Sequence, residues 1–523
     1  MTSTDPDIVA PSAGELPGDG STATHVRGST ILLAGRFISL ALDFVAQVLI
    51  VRYLAKSDYG ALAYALSLVS IGSSLAAFGL DKTLSRFLPI YDERKQSGSV
   101  LGAIVLAVTT MVAIGLGVVV AVHAFKDPIA GSFVTDDRAV PLLLILILLT
   151  PVQALDSLLV ALFAVFSSPR SIFIRRHVLA PMLQLAVVIA VIAAGAGATM
   201  LAAGYVAAGV VGLVIYGPLL VRVLVQRGIV RRRQLRAIRF PARELFAYSA
   251  PLMSSDLVFV LRGSLVVVLV EFLRGTVEVA TFRAVLPLAR LNLVVIQSFT
   301  FLFVPIAARL WSRGDDQEVA RLHQRSTVWV TLASFPVFAL SFALADPAVA
   351  FLYGARYQDS TAVLAILALG FFASAALGFN GLTLRAQGRV RFLFIVDTLT
   401  AIASVVATVL LVQRFGALGA AISTAATLVV QSFWYAVGIE GIRAAAVRGP
   451  YLRTYLAVTL AALALLAIQS ALHPPLAVGL VLAGGVSILL LWIHRDLLDV
   501  ASMFPELLRL PLVARFVRGR AAP

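Results

Sequence analysis

Apolar residues gather into fourteen long stretches separated by short polar breaks, the first near residues 30–51 and the last near 475–493. Each approaches the roughly 20 residues an α-helix needs to cross a hydrocarbon core ~30 Å thick. The others run near 61–80, 100–124, 140–165, 178–198, 201–221, 248–270, 280–306, 327–345, 361–383, 393–412, 417–438 and 454–471. Glycine and proline punctuate their ends, at Gly60, Gly354, Gly416, Gly449 with Pro450, and Pro474 with Pro475. The pattern predicts an all-α polytopic membrane protein with about fourteen transmembrane helices.

Charge adds an orientation. Of the 42 Lys and Arg, 31 fall in the two tails and the even-numbered loops and 8 in the odd-numbered loops, counting Arg283 at the rim of span 8 with the loop before it. The remaining three, Arg36, Arg262 and Arg290, fall inside spans. The positive-inside rule then places both termini of a multi-pass protein in the cytoplasm. The outward loops are short, the longest running roughly from Lys126 to Arg138, so no extracytoplasmic domain fits there.

With 60% hydrophobic and 13% charged residues, the 523-residue chain leaves little for a soluble domain. A net charge of +15 concentrated on one membrane face argues for anionic lipids as partners, not nucleic acid. Zero cysteines exclude disulfides and thiolate metal sites, and the six histidines show no pair at ligand spacing. Neither a cofactor nor a metal is expected. Residues 1–27, rich in Asp, Pro, Gly, Ser and Thr, lack a basic leader and read as a disordered cytoplasmic tail.

Between spans 6 and 7 lies one long basic stretch, with eight arginines and no acid from Arg222 to Arg243. It reads as a linker lying on an anionic leaflet, with a polybasic ligand sensor as the sharper alternative. The chain then divides into a six-helix bundle (28–223), the linker (224–244), a second bundle (245–440), two additional helices (441–495) and an amphipathic cytoplasmic tail (496–523). A shift of 219 positions lays "VEFLRGTVEVATFRAV" (270–285) over "VRYLAKSDYGALAYAL" (51–66), with identities at Val51, Leu54, Ala61 and Ala65. Six intervening spans preserve orientation, so the repeat would be parallel, a pseudo-two-fold along the membrane normal.

Charges at mid-bilayer depth cost roughly 2.5–3.5 kcal/mol on insertion scales, so they persist where a wet cavity or a partner receives them. This chain has Arg36 and Asp43 on span 1, Asp156 on span 4, Asp256 and Arg262 on span 7, Arg290 on span 8 and Asp397 on span 11. Polar companions include Gln47, Gln153, Asn292, Gln297 and Gln431. Seven-residue spacing puts Arg36 and Asp43 on one face, and Arg283, Arg290 and Gln297 along one stripe. The 219-residue shift sets Asp43 against Arg262. A polar, cation-bearing cleft between the bundles fits these placements; the plainer reading is that each charge pairs with a neighbour and only holds helices together. Guanidinium groups at Arg36, Arg262 and Arg290 would suit a phosphate-bearing headgroup. Desolvated carboxylates at Asp43 or Asp256 would bind and release a proton, or coordinate Na⁺, with Asp156 and Asp397 as further cavity partners.

Four segments carry a family resemblance: "GLDKTLSRFLP" (79–89), "FVPIAARLWSRGD" (303–315), "LYGARYQDSTAVLAIL" (352–367) and "RFGALGAAIST" (414–424). In this order and spacing, over roughly residues 30–440, the chain resembles the polysaccharide transporter (Wzx-type oligosaccharide flippase) family of the multidrug/oligosaccharidyl-lipid/polysaccharide exporter superfamily. The resemblance implies two bundles around a V-shaped cavity, alternating access, and transfer of a polyprenyl-pyrophosphate-linked oligosaccharide from the inner to the outer leaflet. It also implies arginines on spans 1 and 8 in a cationic cavity, where Arg36 and Arg290 stand. Spans 13 and 14 would offer a groove for the lipid tail.

Within that fold the alternative is a cation-coupled exporter of drugs or peptidoglycan precursors. Three intramembrane arginines argue against the acid-dominated cleft that cationic drugs require. An enzyme, such as a polyprenyl glycosyltransferase or an O-antigen polymerase, would need catalytic groups on sizeable outward loops, and Asp127, Asp136 and Asp137 sit on a short solvated turn. A scaffold role leaves the intramembrane charges unexplained. The alternating leucines and arginines of 504–520 suit the inner leaflet and would serve to recruit a polysaccharide polymerase or ligase.

Overall fold

The computed structural model describes residues 19–132, 136, 138–166, 173–230, 238–439 and 450–498. The first part of the N-terminal tail, the centre of the basic linker (231–237) and the C-terminal segment after 498, with its 504–520 stretch, lie outside the described residues. All fourteen apolar stretches fall on helix, and no strand occurs among the described residues.

The first half comprises α1 (Asp19–Tyr53), α2 (Lys56–Ala77), α3 (Leu80–Glu93), α4 (Ser97–Ala124), α5 (Lys126–Ser132), α6 (Ala139–Leu146), α7 (Leu149–Phe166), a π-helical turn (Phe173–Leu179), α8 (Ala180–Ala193) and α9 (Ala198–Gln226). The second half begins with α10 (Ala242–Arg274) and α11 (Thr276–Arg290). A 3₁₀ turn at Leu291–Leu293 joins α11 to α12 (Val294–Ser312), followed by α13 (Asp316–Phe342) and α14 (Ala345–Tyr353). Then come α15 (Ser360–Ala376), α16 (Asn380–Ala386) and α17 (Val390–Gly438). Two further helices, α18 (Pro450–Leu472) and α19 (Leu476–Ile493), precede a single turn, α20 (Arg495–Leu498).

Among the described residues nine helices are long and apolar enough to cross a membrane, or ten when α13 and α14, bent by 70°, are taken as one span. Fourteen were expected. One source of the difference is α17, whose 49 residues cover spans 11 and 12; its ladder is interrupted at Gly416, where φ is 57° and ψ −134°. Another is span 5, where the π turn leaves α8 only 14 residues long.

Span 2 also continues further than its apolar pattern. After α2 the chain turns through Phe78 (φ 49°) and Gly79 (φ 66°) and resumes as α3. Glycine is needed at 79 twice over: for the left-handed backbone, and because a Cβ there would sit 2.9 Å from the Ser249 carbonyl of α10. The "GLDKTLSRFLP" segment is therefore a helix laid against the opposite half, where a loop was expected.

Packing distinguishes the two ends of the molecule. At the odd-loop end a single apolar core draws on both halves, with Ile50, Leu54 and Ala61 buried alongside Val270, Val279, Tyr353 and Ala417. At the even-loop end the core divides. Leu84, Leu88, Leu158 and Leu220 form one cluster, joined from the second half by Leu245 and Phe246 at the start of α10. Val319, Leu384 and Leu393 belong to another. The halves are thus fused at one end and separated at the other, apart from a seam between α3 and α10. Helices α18 and α19 pack on α13 through Val458, Leu465, Ala483 and Phe338.

Candidate functional site

Two cavities stand out, and both lie inside a half of the molecule. The larger, about 780 Å³, is enclosed by α1, α2, α3, α7, the start of α8 and α9. Its charged lining is Asp43, Asp81, Lys82 and Asp156, with Gln47, Gln153, Gln184 and Tyr205 beside them. The smaller, about 170 Å³, lies between α10 and the first part of α17. It is apolar except for Arg262, Thr398 and Ser404.

The two are related by the repeat read from the sequence. From α1 the larger takes Asp43, Ala46, Gln47 and Ile50; from α10 the smaller takes Arg262, Leu265, Val266 and Leu269. Each pair differs by 219. Leu179 and Leu183 of the first cavity likewise match Thr398 and Ile402 of the second. The same register therefore relates spans 1 and 7 and spans 5 and 11, with opposite charge at the Asp43/Arg262 position.

The three expected arginines occupy distinct settings. Arg36 Nη2 donates to Gln297 Oε1 of α12, so it reaches from the first half to the second. Arg290 is exposed, although its neighbours Leu288 and Ala289 are buried and α11 packs against α2, α10, α15 and α17. Its guanidinium lies within 3.9 Å of the Cβ position of Gly263, beside Arg262 on α10. Arg262 itself turns into the smaller cavity, with Nη2 buried and without a hydrogen-bond partner among the described residues. No carboxylate lies within 4.0 Å of any of the three among the described residues. Arg290 thus lies against α10 at Gly263, Arg262 turns into its own cavity, and Arg36 reaches α12.

The aspartates separate too. Asp43 and Asp156 share the larger cavity. Asp256 does not join them: it forms an ion pair with Lys82 across the α3–α10 seam. Asp397 accepts hydrogen bonds from Gln431 Nε2 and Tyr435 Oη, and its charge acts on Arg262. Asn292 is a structural residue, fully buried and bonded to the Ala289 carbonyl (2.9 Å) and Ser341 Oγ (3.0 Å).

Contacts between the halves differ in kind at the two ends. At the odd-loop end, two arginines each donate to the closing carbonyls of the other's neighbouring helix. Arg52 Nε binds the Leu352 carbonyl at 2.9 Å, and Arg356 Nη2 binds the Val51 carbonyl at 2.5 Å. Helix C-termini leave such carbonyls unsatisfied and carry partial negative charge, which makes them natural acceptors for guanidinium. The Lys56–Asp359 ion pair and the Thr276–Asp136 hydrogen bond (2.8 Å) reinforce the closure. Toward the even-loop end the α3–α10 seam is polar-bridged by Lys82–Asp256, Arg86–Tyr248 (2.8 Å) and Tyr91–Glu244 (2.8 Å), and Arg36 reaches Gln297 across the halves.

Sequence reasoning missed Asp81, Lys82, Arg52 and Arg356. The first two lay outside an apolar span, and their signal was the amphipathic pattern of 80–93, which continues the helix past Gly79.

The family profile described as polysaccharide biosynthesis protein matches residues 25–311, more than half of the chain, and one described as MatE matches 251–410. Among solved structures, the chain is similar to the lipid II flippase MurJ in an inward closed conformation. That similarity has a TM-score of 0.69 at 12% identity and covers 90% of this chain and 100% of that one. It is also similar to an inward-facing multidrug resistance MATE family transporter of the MOP superfamily, with TM-score 0.63, 15% identity and coverage of 78% and 96%. A third is a MOP superfamily transporter from Pyrococcus furiosus described as having reverse polarity of its binding pocket, with TM-score 0.52, 15% identity and coverage of 80% and 96%. At these identities the likeness establishes the fold. No curated protein matches the chain.

Proposed function

Because the chain belongs to the polysaccharide biosynthesis protein family and has the fold of MOP-superfamily transporters and flippases, we propose that it flips a polyprenyl-pyrophosphate-linked oligosaccharide from the inner to the outer leaflet. The observation that carries this reading is the set of intramembrane arginines with no carboxylate within 4.0 Å among the described residues: Arg36, reaching across to the second half, Arg290, lying against α10, and Arg262, in the smaller cavity. A guanidinium keeps its charge almost anywhere and binds phosphate oxygens in bidentate fashion, so it offsets part of the dehydration of a pyrophosphate. The lipid tail remains in the bilayer while the headgroup crosses.

The charge bias of the loops supports a cytoplasmic even-loop end. The divided core there and the fused core opposite then correspond to an inward-leaning state, with the extracytoplasmic side sealed by Arg52 and Arg356. Transport requires the reverse: the odd-loop seal breaks and the α3–α10 side closes further, as expected for binding at an interface between repeats. Asp43 and Asp156 in the larger cavity would take up the coupling proton or Na⁺. Asp397 and Asp256 serve as structural partners, one beside Arg262 and one across the seam. In this reading the membrane is the bacterial inner membrane, and a polymerase or ligase would receive the product.

A second reading is favoured by the acidic lining of the larger cavity: cation-coupled export of drugs or peptidoglycan precursors. One experiment separates the two. Purified protein in liposomes is assayed for inward-to-outward transfer of a fluorescent polyprenyl-pyrophosphate oligosaccharide, and separately for efflux of fluorescent organic cations driven by H⁺ or Na⁺. Transfer of the lipid without cation efflux supports flipping; robust cation efflux without lipid transfer supports the exporter.

A further inference from the structure

Lys82 stands where two features meet. On one side it lines the larger cavity, and on the other its ammonium pairs with Asp256 of the opposite half. It belongs to the first turn of α3, whose direction is set by the Phe78–Gly79 turn against α10. We propose that Lys82 couples the charge state of this cavity to closure of the even-loop end, its ammonium dividing its time between the cavity carboxylates and Asp256. The proposal rests on the two-state transporter reading above.

The charges around Lys82 define the competition. Asp81 is its neighbour on α3, Asp43 faces the cavity from α1, and Asp156 faces it from α7. Tyr205 and Tyr216 face it from α9, and Asp256 approaches from α10. Arg86, one turn along α3, is engaged by Tyr248 and stacks over its ring at 4.7 Å, so Lys82 is the cation set between cavity and seam. The pair with Asp256 is also accessible: the Lys82 side chain is 54% exposed and that of Asp256 28%. Such ion pairs are weak and readily reweighted by nearby charge.

When the three cavity carboxylates are ionised, they compete with Asp256 for one ammonium. Protonation or a bound monovalent cation cancels that attraction and leaves Lys82 to Asp256, which tightens the seam. By linkage the reverse holds with equal strength: closing the seam withdraws positive charge from the cavity and raises its affinity for a cation. Cation loading and inward closure then reinforce each other through a single side chain.

The test uses the absence of native cysteine. Spin labels at Asp92→Cys and Arg313→Cys, both exposed at the even-loop end, report the separation of the halves by double electron–electron resonance in nanodiscs. No lipid-linked oligosaccharide is present, so the outcome is independent of what the protein transports. As pH falls from about 8.5 to about 5.5, the short-distance population grows in the parent. Sodium chloride in place of choline chloride at the high-pH end distinguishes a bound cation from a proton. Lys82→Gln and Asp256→Asn each flatten the response, while Lys82→Arg, which keeps the charge and controls for folding, retains it. A parent that responds to neither pH nor sodium overturns the proposal, as does a response that persists in Lys82→Gln.

Discussion

Gly60 offers a direct way to move the conformational balance. It lies in the first turns of α2, where the first half packs against the start of α11 in the second. A Cβ built there would sit 1.8 Å from the Thr276 carbonyl oxygen and 2.6 Å from its carbon, both backbone atoms at the start of α11. An ordinary van der Waals contact begins at about 3.4 Å. Gly60→Ala therefore requires the halves to part locally by roughly 1.6 Å at the odd-loop end. Forced overpacking costs typically ~1–3 kcal/mol. The cost falls on the odd-loop-closed state and is relieved when that end opens. Because ~1.4 kcal/mol is a factor of ten, the ratio of open to closed molecules should rise about 5- to 150-fold. Spin labels at Asp127→Cys and Gln358→Cys, one on each half and both exposed, measure that ratio as the weight of the long-distance population. Gly117→Ala is the control, since nothing lies within 4 Å of its Cβ position. A Gly60→Ala distribution superimposable on the parent, in a folded protein, would refute the idea that this contact holds the end shut.

Other substitutions probe other parts of the account. Arg36→Ala and Arg290→Ala should each slow flipping at unchanged abundance, checked by vesicle assay and immunoblot. Loss of a charge-assisted contact worth ~1.5–3 kcal/mol corresponds to roughly 10- to 150-fold. Arg262→Leu removes a buried, unsatisfied Nη2, so thermal stability should hold or rise while flipping falls. A fall in both would assign Arg262 to structure alone. Arg52→Ala combined with Arg356→Ala should widen the same odd-loop distances as Gly60→Ala, because the helix-end carbonyls lose their donors. Asn292→Ala should lower stability by ~0.5–1.5 kcal/mol without altering the distance distributions, as its amide hydrogen bonds to the Ala289 carbonyl and Ser341 are lost.

Much of the scaffold was visible in the pattern of apolar stretches, because each helix must present some 20 apolar residues to lipid whatever its partners. The 219-residue repeat was visible in only four identities around Val51, yet it relates the linings of two cavities residue by residue. What escaped were properties of pairs of helices. Arg52 and Arg356 bind main-chain carbonyls, and no side chain in the sequence marks those acceptors. Asp256 resembled a coupling acid until α3 brought Lys82 to it. Asp43 and Arg36 share a face of α1, but the length of the arginine carries its charge across to Gln297 while Asp43 stays within its own half. Arg36, Arg262 and Arg290 were expected in one cleft, and the structure spreads them between the gap and a smaller cavity.

The central claim is that an anionic lipid headgroup passes between two halves that must part at the odd-loop end. Lys56 and Asp359 form an ion pair across that end. In a chain with no other cysteine, Lys56→Cys with Asp359→Cys can be bridged by a short, reducible cross-linker and assayed for flipping of a polyprenyl-pyrophosphate oligosaccharide in liposomes. Bridging should stop transfer, and reduction should restore it. Transfer that continues undiminished with the bridge in place would contradict the account.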